Sequence, residues 1–216
     1  MSITNFYEHC PDNPQSLVIM LHGVGSNGQD LISLAPYLAQ SLPNTAFVSS
    51  DAPFVCDMVP PEYPNAYQWF SLQNRDPHVL LDGVKTVMPL VGEFVIEQAE
   101  RFQLPLNKVA LLGFSQGTMT SLHVAPRLKD KIAGVLGYSG ALLWDENGSK
   151  DLKTMPICLI HGESDDIVPA EARAHAIEKL ESAGFTLSGH TTPGLAHSID
   201  QKGIDAGSAF LKEILS

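Results

Sequence analysis

The amino-acid sequence predicts an α/β fold: a mostly parallel central sheet with helices on both faces and no separate cap domain. Three observations predict it. Short apolar runs alternate along the chain with stretches of helical periodicity. Several of those runs end in glycine-rich or acidic turns, where open parallel sheets build their sites. One of them, Val109 to Leu112, leads straight into Gly113-Phe114-Ser115-Gln116-Gly117. The 216 residues suit one domain over 1–216, long enough to bury a full core.

Taken in order, the first strand is read at Ser16 to Leu21, which opens into His22-Gly23-Val24-Gly25-Ser26-Asn27-Gly28. Gln29 to Ser41 is amphipathic and reads as a helix, and Thr45 to Ser49 as the next strand. Pro53 to Pro64, with Pro60-Pro61 inside, is too hydrophobic for a flexible linker and reads as a long ordered loop, a kind of segment that tends to be functional. Leu81, Val84, Met88, Val91, Phe94, Val95 and Phe102 fall at helical spacing. They predict a long helix over Leu80 to Arg101 that Pro89 kinks or that starts after it. Strand Val109 to Leu112 is followed by a helix over Thr118 to Leu128, ended by Pro126 or the charges beyond it. Further strands are expected at Ile132 to Tyr138, Ile157 to Ile160 and Phe185 to Thr191, with helices at Ala170 to Ser182 and Ile204 to Leu215. Parallel strands joined by helical crossovers imply a sheet covered on both faces.

An apolar strand running into Gly-x-Ser-x-Gly is the pattern of a nucleophile elbow, and it makes Ser115 the candidate nucleophile. A serine hydroxyl is a poor nucleophile at neutral pH, so it needs a histidine base and a carboxylate to orient that base. Acids follow the strand ending at Ile160, in His161-Gly162-Glu163-Ser164-Asp165-Asp166, and a histidine follows the last strand in Pro193-Gly194-Leu195-Ala196-His197. The order Ser115, Asp165, His197 is the one used by α/β-hydrolases. Glu163 and Asp166 are alternatives for the acid. His190 is the rival base, disfavoured because it sits within the last strand. His22 and His161 each precede a glycine at a strand end, where hydrogen bonding and loop packing are the expected roles; His9, His78, His123 and His175 read as ordinary. The first glycine-rich turn would supply one backbone donor to an oxyanion, and the amide of Gln116, at a helix N-terminus, the other. Gly23, Gly25 and Gly28 also fit a dinucleotide-binding loop. That reading ranks below, because no acid closes a following strand in the dinucleotide manner.

These motifs together resemble the phospholipase/carboxylesterase family of α/β-hydrolases, which includes acyl-protein thioesterases and small bacterial esterases. Leu21-His22-Gly23-Val24-Gly25 is similar to the family's first-strand motif, Gly113 to Gly117 to its elbow, His161 to Asp165 to its acid loop and Gly194 to His197 to its histidine loop. The resemblance implies nucleophile Ser115, acid Asp165, base His197, oxyanion donors Val24 and Gln116, and a Trp-Phe segment, Trp69 and Phe70, beside the substrate. Ser26-Asn27 replaces the Asp-Thr common in eukaryotic thioesterases, and Thr118-Met119 their Gly-Ala. Those departures favour a bacterial-type carboxylesterase over a protein-deacylating one; the expected substrate is a small-molecule or acyl-chain ester or thioester. Lysophospholipase or acyl-protein thioesterase activity is the alternative, and a non-catalytic acyl-binding protein on the same fold the rival class.

Composition narrows the classes further. A formal net charge of −11 argues against nucleic acid and against capture by anionic membranes, both of which need basic patches. Charged residues at 17% and hydrophobic ones at 44% are too apolar for disorder, and no apolar run reaches membrane-spanning length. The first ten residues lack a basic segment followed by an apolar one, and Cys10, Cys56 and Cys158 are odd in number and far apart. Free thiols in a cytoplasmic protein are expected. The histidines show no zinc spacing, and neither metal nor cofactor is implied. Apolar loop residues would serve a substrate or a second copy in a homodimer equally well.

Overall fold

The structure is a computed structural model that describes residues 2–60, 62–146 and 151–216. The chain opens with β1 (Phe6–His9) and β2 (Ser16–Leu21), then α1 (Gly28–Leu31), α2 (Ala35–Ala39) and β3 (Thr45–Ser50). A small antiparallel pair, β4 (Phe54–Val55) and β5 (Tyr67–Gln68), precedes the long α3 (Pro77–Arg101). There follow β6 (Val109–Phe114), α4 (Gln116–Val124), β7 (Gly134–Tyr138), β8 (Pro156–Gly162), α5 (Glu171–Ser182), β9 (Thr186–Ser188), β10 (Thr191–Thr192) and α6 (Gln201–Leu215). The main sheet runs β1-β3-β2-β6-β7-β8-β10, with β9 also on β8. Among the described residues only β1 pairs antiparallel within it.

Every residue of β2 is buried, as expected for a central parallel strand covered on both sides. Leu17, Ile19 and Leu21 pack in one core with Val84, Val87 and Val91 of α3, Leu122 of α4 and Leu180 of α5. Val18 and Met20 face the other core, with Leu38 of α2 and Phe210, Leu211 and Leu215 of α6. The period of two in β2 therefore assigns the helices to their faces.

The structure departs from the sequence reading in several elements, most of all in the following. The helix expected over 29–41 is broken into α1, a 3-10 turn at Ile32–Leu34 and α2, because Pro36 lacks an amide donor and its ring crowds the preceding turn. The long helix starts early: Pro77 takes its first position, and the Asp76 carboxylate caps it by accepting from the His78 amide at 2.9 Å. It keeps Pro89 inside. β1 is an added edge strand, half-exposed and without clear alternation. The last strand divides into β9 and β10 at Gly189, whose φ is +102° and where a Cβ would lie 2.1 Å from the Leu159 carbonyl oxygen. His190 sits in that break. The Pro-rich loop is ordered by β4 and β5; Pro61 lies outside the described residues.

His123 of α4 is buried, with Nδ1 3.3 Å from the Leu143 carbonyl. Burial first, and then Arg127, push its pKa down to about 4 from 6.5. Between those values the unfolded chain binds a proton that the folded chain refuses, so this contribution to stability is full above pH 6.5 and is lost as pH falls towards 4. The loss is on the order of 2–3 kcal/mol. His123→Gln is expected to flatten the melting temperature against pH across that window; a slope identical to the wild type would assign the effect to another group.

Candidate active site

β6 delivers Ser115 in a backbone conformation, φ 53° and ψ −116°, that side chains rarely adopt. Such a residue costs about 1–3 kcal/mol and persists only where its surroundings hold it. Here the Ser115 amide donates to the Tyr138 carbonyl at 2.9 Å, and its own carbonyl accepts from Thr118 at 3.0 Å and Met119 at 3.2 Å. The neighbouring glycines permit the sharp turn: a Cβ on Gly117 would sit 1.8 Å from the Leu21 carbonyl oxygen, and one on Gly113 2.4 Å from the Thr118 nitrogen.

At the end of β8, Asp165 turns its side chain inward. Its Oδ1 accepts from the amides of Ile167 at 3.0 Å and Val168 at 2.8 Å, and its Oδ2 lies 2.7 Å from His197 Nδ1. Burial alone would raise the carboxyl pKa, but the bonds from His197 and the two amides outweigh it and hold the group below its usual value. It is therefore an anion at neutral pH and fixes the proton of His197 on Nδ1, leaving Nε2 free to accept. Glu163 and Asp166 point into solvent. His161 is buried, its Nε2 2.8 Å from the Val168 carbonyl and 3.3 Å from Asp165 Oδ2, which braces the acid loop. The Ser164 amide donates to Leu195 at 2.9 Å and ties that loop to the one bearing His197. The imidazole of His197 rests against the Phe114 ring, 5.0 Å between centroids. His190 lies outside this arrangement, its carbonyl accepting from the His161 amide.

Ser115 and His197 line one groove of ≈ 440 Å³ with Gly23 and Val24. Leu31, Leu34, Phe114, Ile167 and Ile199 give its lining an apolar part, and Ser26, Asp30, Ser33 and Ser198 a polar one. Among the described residues, no acceptor pairs the amide of Val24 or of Gln116. A larger cavity of ≈ 560 Å³ between α3, α5 and residues 142–146 contains none of these groups.

Two of the nominated residues are elsewhere. Trp69 is 0% exposed and Phe70 4%, and neither lines the groove. The indole is drawn beneath the first turn because its Nε1 donates to the His22 carbonyl at 2.9 Å, so the pair is packed behind that turn and does not line the groove. The Gln116 side chain, unnoticed in the sequence, accepts from the Trp69 amide at 3.0 Å and donates to the Phe70 carbonyl at 2.6 Å. Its signal was an amide side chain held between glycines in a segment that has to be buried. Asp51 does stand directly after β3, in the place a dinucleotide-binding acid takes. Its Oδ1 accepts from the Gly28 amide at 2.8 Å and it also bonds Asn5, so it braces the turn. No group of three or more potential metal ligands occurs among the described residues. No helix there is long and apolar enough to cross a membrane.

Comparison with known proteins gives the same frame. Residues 6–215 match the family described as phospholipase/carboxylesterase. The chain is 28% identical to an acyl-protein thioesterase 1 of Eremothecium gossypii over 90% of its own length and 86% of that protein. It is 29% identical to the esterase YpfH of Escherichia coli K12, over 94% and 84%. Among solved structures it is similar to the esterase PE8, with 33% identity, a TM-score of 0.91 and full coverage of both chains. A Bacillus cereus carboxylesterase, at 14% identity and a TM-score of 0.78, shares the fold.

Proposed function

The chain belongs to the phospholipase/carboxylesterase family of α/β-hydrolases and is a hydrolase of esters or thioesters; from that premise we propose that it is a serine carboxylesterase working through Ser115, His197 and Asp165. The observation that carries the reading is the 2.7 Å contact of a buried Asp165 with Nδ1 of His197, which lines the same groove as the strained Ser115.

In the first step His197 Nε2 takes the proton from Ser115 Oγ as the oxygen adds to the carbonyl carbon. The amides of Val24 and Gln116 hold the resulting oxyanion, and Asp165 stabilises the imidazolium. The alcohol or thiol leaves with the proton from His197. Water, deprotonated by the same nitrogen, then releases the acid from the acyl-enzyme. Among the described residues the groove carries Asp30 and no lysine or arginine, which favours neutral small-molecule esters over anionic phospholipid head groups. Three unpaired cysteines fit a cytoplasmic protein, and exposed Val55 of β4 and Tyr63 of the β4–β5 loop offer an apolar surface to a second copy. Two cores sharing one continuous sheet support a single domain.

Labelling of the purified protein with a fluorophosphonate, followed by mass spectrometry of the modified peptide, tests the assignment. Label on Ser115 that disappears in His197→Ala is the expected result. A folded wild type that takes no label would move the non-catalytic acyl-binding reading ahead.

A further inference from the structure

An oxyanion is stabilised well only when its donors converge on one point, about 2.7–3.1 Å from the oxygen. The two proposed donors belong to separate elements: Val24 follows β2, and Gln116 begins α4. We propose that Trp69, bonded to the side chain of Gln116, is a strut that sets the spacing of those two amides, which makes it a positioning residue for the reaction. This rests on the reading of Ser115, Val24 and Gln116 given above.

The hydrogen bonds run from one donor to the other. On the α4 side, the Gln116 amide side chain is bonded at both ends to the Trp69–Phe70 backbone, accepting from Trp69 at 3.0 Å and donating to Phe70 at 2.6 Å. On the β2 side, the indole Nε1 donates to the His22 carbonyl at 2.9 Å, and the His22 ring lies against the indole with 5.5 Å between centroids. His22 completes the path. Its Nε2 accepts from the Ala52 amide at 3.0 Å, which leaves the proton on Nδ1, and Nδ1 donates to the Gly23 carbonyl at 2.7 Å. That carbonyl belongs to the peptide whose N–H is the Val24 donor. A trans peptide is planar, with C=O and N–H pointing opposite ways, so holding the oxygen aims the amide. Burial keeps the His22 pKa below its ordinary value, so the ring stays neutral and the arrangement intact at working pH. Gly83 of α3 backs the strut from behind, since a Cβ there would come within 3.0 Å of Phe70 Cβ.

An indole that merely fills the core would contribute to stability alone. Trp69→Phe keeps most of the apolar volume and removes the donor to His22; Gln116→Met keeps the length of the side chain and removes both of its bonds. The readouts are melting temperature, steady-state kinetics on a p-nitrophenyl ester, and inhibition by an alkyl trifluoromethyl ketone. Ser115 Oγ adds to the carbonyl carbon of that ketone, its proton passes to His197, and the carbonyl oxygen becomes an oxyanion in the hole. In each variant kcat is expected to fall about 10-fold or more, with KM within about twofold. The inhibition constant is expected to rise by the same factor as kcat/KM falls, and the double variant to lose less than the product of the single losses. Cooperatively melting variants with wild-type kcat, or with lost kcat and unchanged affinity for the ketone, would overturn the strut. If Trp69→Phe does not fold, Gln116→Met carries the comparison. Absence of turnover and of fluorophosphonate label in the wild type would fail the catalytic reading itself; a labelled, active wild type with an indifferent Trp69→Phe would fail the strut alone.

Discussion

Ser115→Ala is expected to reduce ester hydrolysis by about 10⁴-fold or more while leaving the fold intact. On the proposed mechanism the loss is large because the covalent route disappears altogether: with no Oγ there is no acyl-enzyme, and His197 is left to activate water that no group positions. What survives is the acceleration that two backbone donors and the apolar groove give to direct attack by water. The fold should tolerate the change because the bonds that hold the turn come from the backbone of Ser115, its amide to Tyr138 and its carbonyl from Thr118 and Met119. The strain at φ 53° also remains, since alanine has the same Cβ. The checks are kcat on a p-nitrophenyl ester and the melting temperature. A Ser115→Ala protein that hydrolyses esters at more than a few per cent of the wild-type rate would remove Ser115 from the mechanism. A wild type without turnover that still binds acyl compounds would point to the binding protein.

Much of this candidate site was legible because a sharp strand-to-helix turn and loops at strand ends constrain the sequence locally. Gly113 and Gly117 stand where the backbone of α4 meets β2 and β6 too closely for a Cβ, so the elbow announces itself in five residues. Asp165 and His197 each follow a strand at the sheet's carboxyl edge, and the apolar runs that mark those strands are among the clearest features of the chain. What the pattern could not convey was direction. An aromatic pair after a Pro-rich loop reads alike whether it faces a groove or the back of a turn, and only the bonds of Trp69 to His22 and Gln116 show it packed against the turn. The break between β9 and β10 was hidden for a related reason: Gly189 is required by the approach of Leu159 from another strand, which no local window contains. β1 escaped because an edge strand with one antiparallel neighbour, half in solvent, has no need of the apolar run that betrayed β2.

The second large effect is expected from Asp165→Asn, a change of one atom that should lower kcat by about 10³–10⁴-fold with KM nearly unchanged. Its force comes from which oxygen is already committed. Oδ1 accepts from two backbone amides, Ile167 and Val168, so in the variant the amide oxygen has to take that place and the NH₂ has to take the place of Oδ2. There it faces His197 Nδ1, which lies 2.7 Å from the wild-type oxygen. A donor in that position makes Nδ1 the acceptor and moves the ring proton to Nε2, the nitrogen that in the proposed mechanism receives the proton of Ser115. The imidazole is then held in place in the wrong tautomer. The same NH₂ confronts the Nε2–H of His161, 3.3 Å from Oδ2 in the wild type, so a stability loss of about 1–3 kcal/mol should accompany the kinetic one. Fluorophosphonate labelling should slow in step with kcat, because that reagent needs the same proton transfer. A variant that keeps near-normal kcat would mean that Asp165 only braces its loop, and attention would pass to how His197 is oriented without it.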